Sequence, residues 1–446
     1  MKHSALLTDL YQLTMMAGYY ENNLNETATF ELFVRNYPPN RNYLIFAGLE
    51  QILDYTLNIK FTEQELEYLR KHPTFKNIRD EFFDYLKDFK FTGDIWAMPE
   101  GTVFFPNEPV MRITAPIIQA QLLETYILSM FNFQTMIATK ASRIVSASQG
   151  RQIIEFGSRR AHGPEAATLA ARASYIGGCT GTSNVYAGHK FGLPIYGTIA
   201  HSWIMAFDSE EEAFEKYYKS YPDNTILLVD TYNTIEGIKK ATRISPEIKG
   251  IRLDSGDFYL LSLEARKILD DAGLQNTKIV ASGDLNEYKI KDLIEKGAPI
   301  DAFGVGTELV VSADAPALGG LYKLVEIEKD SKSIYKAKFS QNKITYPGKK
   351  QVWRFLDNNK LVKDIIASAE ENIYTQQNAI PLLSQMVKEG KVLSPLPNIN
   401  EIKQHCLNNL IQLDKKLLNS DSTTNIQIEI SKSAQAKYNQ LKDSLI

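Results

Sequence analysis

Between about residues 151 and 328 the chain alternates short apolar runs with charged, helix-like segments, and this rhythm restricts the fold more than any other feature. RQIIEFG, LPIYGTIAHS, TILLVD, GIRLDSGD, KIVASGD and DAFGVGTE read as strands. Between them EEEAFEKYYKSY, TIEGIKKATR, FYLLSLEARKILDDAG and NEYKIKDLIEKG have helical periodicity and a charged face. The steps from Asp230 to Asp254, Asp284 and Gly306 are 24, 30 and 22 residues, which suits one strand, one helix and two short loops. Repeated βα units imply a parallel sheet. A barrel and a doubly wound sheet both satisfy the pattern, and the number of strands with modest loops favours the barrel.

The flanking regions have another character. Residues 5 to 20 place Leu6, Leu7, Leu10, Leu13, Thr14 and Ala17 at helical spacing, with Thr8 or Asp9 available as a cap. A helical pattern over 62 to 90 precedes TGDIWAMPEGTVFFPNEPVMRITAP, which reads as short strands broken by Gly and Pro. QAQLLETYILSMFNFQTMIATKASRIVSAS reads as one long helix. A chain of 446 residues corresponds to roughly two to four domains. The expected division is an N-terminal α/β domain over 1–131, an α/β-barrel catalytic domain over 132–334 and a C-terminal module over 335–446.

Fifty basic and fifty-three acidic side chains give a formal charge of −3, so no basic field draws the chain to nucleic acid or an anionic membrane. Any bound anion must be held locally. Cys179 and Cys406 are too few for a disulfide framework and lack zinc-site spacing, so both are expected as reduced thiols. No N-terminal signal pattern is evident, and no apolar run approaches the roughly twenty residues that cross a bilayer. The expectation is a cytoplasmic protein with neither nucleic-acid nor membrane partners.

In a parallel βα architecture the C-terminal ends of the strands face the ligand. Arg159, Arg160, His201, Asp230, Arg252, Asp254, Asp257, Gly283, Asp284, Gly304 and Gly306 all fall at such ends. Singly, each has an ordinary explanation: an interior histidine, a helix cap, a loop ion pair or a tight turn. Their convergence is what points to a site. Small-residue turns such as FGVGTE, before a helix, also expose backbone N–H groups to a phosphate. Walker, HExxH and CxxC patterns are absent, which argues against a dedicated metal cage; carboxylates can still hold Mg²⁺ through a phosphorylated substrate.

In this order, LLTDLYQLTMMAGYY, EFGSRRAHGPEAATLAARASYIGGCTGTSNVYAG, GTIAHSWIMAF, IRLDSGD, ASGDLNE and FGVGTELV resemble the nicotinate phosphoribosyltransferases, over about residues 5 to 355. The remainder of the chain is less distinctive. The resemblance implies an irregular (β/α) barrel of the type II phosphoribosyltransferase kind with an α/β domain beside it. It also implies synthesis of nicotinate mononucleotide and pyrophosphate from nicotinate and phosphoribosyl pyrophosphate for NAD salvage, coupled to hydrolysis of ATP carried with Mg²⁺, in a homodimer with shared active sites. His201 is then the residue that becomes a phosphohistidine. Arg252 anchors nicotinate or the phosphoribosyl group, and Asp254 and Asp284 hold ribose hydroxyls and Mg²⁺. The backbone around Gly283, Gly304, Gly306 and Thr307 binds the 5-phosphate. Phe156 stacks on the pyridine, Tyr11 from the partner subunit covers its other face, and Arg159 lies near the ring substituent. Arg35 either reaches a phosphate across the dimer or is an isolated surface arginine.

Ser183 bears on the choice of base. The related nicotinamide-using enzyme has an aspartate at the matching place, which accepts from an amide and repels a carboxylate; serine favours nicotinate. The alternatives are a nicotinamide- or quinolinate-using transferase, a barrel aldolase or isomerase, and a non-catalytic nicotinate sensor. The AHSW, DSGD and SGD stretches together, with His201, Arg252 and Asp284 all retained, argue against them.

Overall fold

The computed structural model describes residues 3–340, 345–371, 373, 379–418 and 426–445. It divides into two compact units, one formed by 137–316 and the other by 1–136 with 317–446. The expected division was into three. Residues 317–334, assigned above to the barrel, and the C-terminal module both fall in the unit that contains the N-terminus.

The 137–316 unit is built on six strands: β1 (Gln152–Glu155), β2 (Gly181–Thr182), β3 (Ile226–Leu228), β4 (Gly250–Leu253), β5 (Lys278–Ser282) and β6 (Ala302–Val305). They form one sheet in the order β2-β1-β6-β5-β4-β3. Every pairing is parallel. A parallel sheet covered by helices is buried on both faces, hence the near-continuous apolar runs. Ile251, Leu253, Ile279, Ala281, Phe303 and Val305 all lie in one core with Leu227 and Leu228. The helices turn small or apolar positions inward: Phe258–Asp271 buries Ser262, Ala265 and Leu269. Side chains fix their starts, since Asn233, Asp257 and Asn286 each accept a backbone N–H of the first turn.

β6 returns to pair with β1, as in a barrel, but the two edge strands β2 and β3 do not pair among the described residues. The chain between them contains LPIYGTIAHS, which the apolar pattern marks as a strand. It is not one. Its only ladder contact is the isolated bridge Thr182↔Ile195, after which it runs as loop to the short helix His201–Met205. This missing strand makes the barrel irregular.

Among the described residues the other unit carries a seven-stranded antiparallel sheet, including Thr27–Val34, Met111–Pro116 and Asp94–Ala97 from the N-terminal part and Gly320–Lys329 and Ser384–Lys388 from the C-terminal part. Thr27–Val34 pairs with Gly320–Lys329 on one side and Met111–Pro116 on the other, which is why the chain ends fold as one unit. The first helix is Leu10–Glu21, shorter than the periodicity suggests. Asp9 occupies its N-cap position without capping it, because its carboxylate accepts the Thr125 hydroxyl instead. Among the described residues no helix is long and apolar enough to cross a membrane. Cys179 and Cys406 are both buried and are not joined in a disulfide.

Candidate active site

A pocket of about 360 Å³ opens in the barrel unit, within the range of roughly 300–1,000 Å³ usual for small-molecule sites. One wall is Phe156 and Arg159, just after β1. Ser183 follows β2, and Arg252 and Asp254 stand at the end of β4. The loop Gly197–His201, the segment that failed to form a strand, supplies the rest together with Leu228.

Arg252 is held on several sides. Its Nε donates to Ser282 Oγ at 2.7 Å, Nη1 to Thr198 Oγ1 at 2.8 Å and to the Ile199 carbonyl at 3.3 Å, and Nη2 to Asp254 Oδ1 at 2.5 Å. The guanidinium carbon also lies 5.8 Å from the centre of the Phe156 ring, within cation–π range. A side chain with this many fixed bonds presents its charge in one place without reorganisation.

Asp254 Oδ1 also accepts the Ser282 hydroxyl at 2.5 Å, and Oδ2 faces His201 Nε2 at 3.8 Å. Burial, the largest influence, pushes the Asp254 pKa up. The Ser282 hydroxyl, the Arg252 guanidinium and His201 together outweigh it and hold the carboxyl below its ordinary range. Asp254 is thus an anion at neutral pH. Its backbone N–H donates to Asp230 Oδ2 at 3.0 Å, and Ser255 Oγ donates to the same oxygen at 2.7 Å, so Asp230 fixes the start of the DSGD turn. Asp230 Oδ1 is buried and finds no hydrogen-bond partner.

His201 begins its short helix with a part-exposed ring, and Nδ1 is 3.1 Å from Thr231 Oγ1. The helix is anchored by Trp203, whose indole N–H donates to the Ala213 carbonyl at 3.0 Å and whose ring packs against Phe207 and Tyr217. The imidazole therefore stands at the pocket rim on a braced support.

The glycines do different work from one another. Gly283 has φ +104°, and a Cβ there would lie 2.3 Å from the Asp254 carbonyl oxygen, so the turn after β5 requires glycine. At Gly304 a Cβ would lie 2.4 Å from Phe156 Cδ2 and 3.2 Å from Ser282 Cβ. Here the missing side chain is the seat of the Phe156 ring. Gly306 and Thr307 form the start of the short helix Thr307–Val310 and do not line the pocket.

The structure thus gathers His201, Arg252, Asp254, Phe156, Arg159 and Ser183 around one cavity. Asp284 is exposed, in a left-handed turn with φ +42°, and outside the pocket lining; its carbonyl accepts Lys289 Nζ at 2.7 Å. Arg160 is exposed and also outside the lining. Asp257 is a helix cap. Tyr11, half-exposed on the first helix, and Arg35, part-buried with its guanidinium 5.9 Å from the Phe33 ring, belong to the other unit. Sequence reasoning missed Thr198, Ser282 and Thr231, which orient Arg252, Asp254 and His201. Their strand-end placement was the only signal available, since hydroxyl residues are common in loops.

The fit to Mg²⁺ rests on two carboxylates, Asp230 with its partnerless buried oxygen and Asp254 with an oxygen toward the pocket. Among the described residues no group of three or more His, Cys, Asp or Glu is arranged to hold a metal ion. Asp254 alone of the two lines the pocket, so an ion here would have to arrive on a substrate polyphosphate and keep most of its other ligands.

Family profiles match along the chain: the nicotinate phosphoribosyltransferase (NAPRTase) N-terminal domain over residues 6–132, the nicotinate phosphoribosyltransferase family over 151–366 and its C-terminal domain over 372–437. A nicotinate phosphoribosyltransferase of Mycobacterium tuberculosis is 44% identical over 386 residues, covering 85% of this chain and 82% of its own length. That of Bacillus subtilis is 40% identical over 437 residues, covering 91% and 88%. The crystal structure of human nicotinic acid phosphoribosyltransferase superposes with a TM-score of 0.86 at 25% identity, covering 97% of this chain and 99% of that one. With that fold, that pocket and these matches, the chain belongs to the nicotinate phosphoribosyltransferase family.

Proposed function

We propose that this pocket is where nicotinate receives a phosphoribosyl group from phosphoribosyl pyrophosphate, giving nicotinate mononucleotide and pyrophosphate in NAD salvage, with ATP hydrolysis coupled through His201. The observation that carries the reading is the convergence of Arg252, Asp254 and His201 on one cavity that Phe156, Arg159 and Ser183 also line. The pyridine lies on Phe156 with its carboxylate toward Arg159. Ser183 sets no negative charge against that carboxylate.

In the transfer, the bond from the ribose anomeric carbon to pyrophosphate breaks and the bond to the pyridine nitrogen forms. That nitrogen brings its own lone pair, so no base is needed. Arg252, immobilised by Ser282, Thr198 and Asp254, meets the charge that grows on the departing pyrophosphate. Asp254 supports the cation-like ribose and, with Asp230, is the residue that would hold substrate-borne Mg²⁺, which neutralises polyphosphate charge. Asp284 and the backbone of Gly283, Gly306 and Thr307 lie outside the lining of this pocket, so a role for them at ribose or the 5-phosphate requires a substrate that extends beyond it.

His201 takes the γ-phosphoryl of ATP: the bond to the β–γ bridging oxygen breaks, a nitrogen–phosphorus bond forms, and ADP leaves. Thr231 at Nδ1 and Asp254 on the Nε2 side hold the ring in place, and the attacking lone pair is the one on the nitrogen that carries no proton. Later hydrolysis returns the free imidazole and phosphate. The enzyme is a cytoplasmic homodimer in this reading, with the partner's Tyr11 closing the pyridine site. The test is to offer nicotinate, nicotinamide and quinolinate separately with phosphoribosyl pyrophosphate, Mg²⁺ and ATP. Nucleotide from nicotinate with little from the other two is expected; nicotinamide as the better substrate would contradict it.

A further inference from the structure

The walls of the pocket that face the base come from different strands, Phe156 and Arg159 after β1 and Ser183 after β2, and one buried side chain ties them together. Glu155, the last residue of β1, is fully buried. Its Oε1 accepts the backbone N–H of Gly157, and its Oε2 accepts the Thr182 hydroxyl at 2.5 Å. The Glu155 carbonyl also accepts the Ser183 N–H at 2.9 Å. Thr182 Oγ1 in turn accepts the Asn184 N–H at 2.9 Å, which draws the residue after Ser183 into the same network. Gly157 fixes the other end, because a Cβ there would lie 2.2 Å from Val310 Cγ1 and the turn cannot shift outward.

Burying an ionisable carboxyl is costly, and an apolar side chain would fill the space without that cost. Burial, chiefly, raises the Glu155 pKa, while the Thr182 and Gly157 hydrogen bonds oppose the rise. Both bonds come from residues next to the groups that touch the base. We propose that Glu155 is a positioning residue for the pyridine ring: through Gly157 and Thr182 it sets the distance between the Phe156–Arg159 turn and Ser183, and so governs affinity for nicotinate while leaving the transfer step alone. The inference rests on the reading of this pocket as the nicotinate site.

Steady-state kinetics of Thr182→Val, Thr182→Ser and Glu155→Gln test it, with melting curves to establish folding. Losing one buried hydrogen bond to a carboxylate should raise KM for nicotinate about tenfold in Thr182→Val, with KM for phosphoribosyl pyrophosphate and kcat within about twofold. Thr182→Ser, which keeps the hydroxyl, should return KM for nicotinate to near wild type. A folded Thr182→Val with unchanged KM for nicotinate, or with both KM values raised in parallel, overturns the proposal. If Thr182→Val fails to fold, Glu155→Gln decides by the same split of the two KM values. A wild-type enzyme that forms no nucleotide from nicotinate overturns the pocket reading and this inference together, which is a different result from an active wild type with an indifferent variant.

Discussion

At the scale of single residues, the site is a set of mutual constraints. Gly304 is kept bare by the Phe156 ring, so Gly304→Ala should displace that ring, raise KM for nicotinate and cost about 1–3 kcal/mol of stability by overpacking. Kinetics and a denaturant melt check both parts, and an unchanged KM would remove Phe156 from base binding. Asp254 makes a pH prediction. Its folded-state pKa is depressed, so its contribution to stability is fully present above the unfolded value near about 4 and is lost as pH falls through the folded value. The stability gap between wild type and Asp254→Asn should therefore narrow on acidification below about pH 4 and stay constant above it. A gap that widens in acid would mean that the Arg252 and Ser282 contacts do not stabilise the carboxylate.

At the scale of elements, the parallel strands were legible because each is a short apolar run ending in polar residues before an amphipathic helix. β3 to β6 follow the pattern from TILLVD to DAFGVGTE, and that placement is what made Arg252 and Asp254 stand out. LPIYGTIAHS was misread because composition alone cannot tell a ladder-forming run from an apolar loop packed on the barrel; Ile199 is buried there without any strand partner. The orienting hydroxyls of Ser282, Thr198 and Thr231 were illegible, since their role depends on distances across different loops. Asp257 shows the reverse error, a strand-end carboxylate grouped with the site that serves as a cap. Asp257→Ala should lower stability by about 1 kcal/mol in a urea melt and leave both KM values unchanged. A large rise in either KM would return Asp257 to the binding machinery.

At the scale of the whole molecule, the two-unit division was illegible because strands 27–34 and 320–329 pair across nearly three hundred residues of intervening sequence, with no local signal. The proposed homodimer has a direct consequence: if Tyr11 acts across the subunit boundary, mixing Tyr11→Ala with His201→Ala subunits, each without ATP-coupled turnover, should restore ATP-coupled nucleotide formation that neither has alone. No recovery after subunit exchange would place Tyr11 in its own chain's site or outside the chemistry. The central claim is that His201 joins ATP hydrolysis to transfer at the Arg252–Asp254 pocket. The direct measurement is nicotinate mononucleotide and ADP in the same incubation, for wild type and His201→Ala, with and without ATP and Mg²⁺. The account predicts that both products rise together in wild type, and that His201→Ala releases no ADP and makes nucleotide slowly whether or not ATP is present. ADP formation coupled to nucleotide in His201→Ala at the wild-type ratio would contradict it.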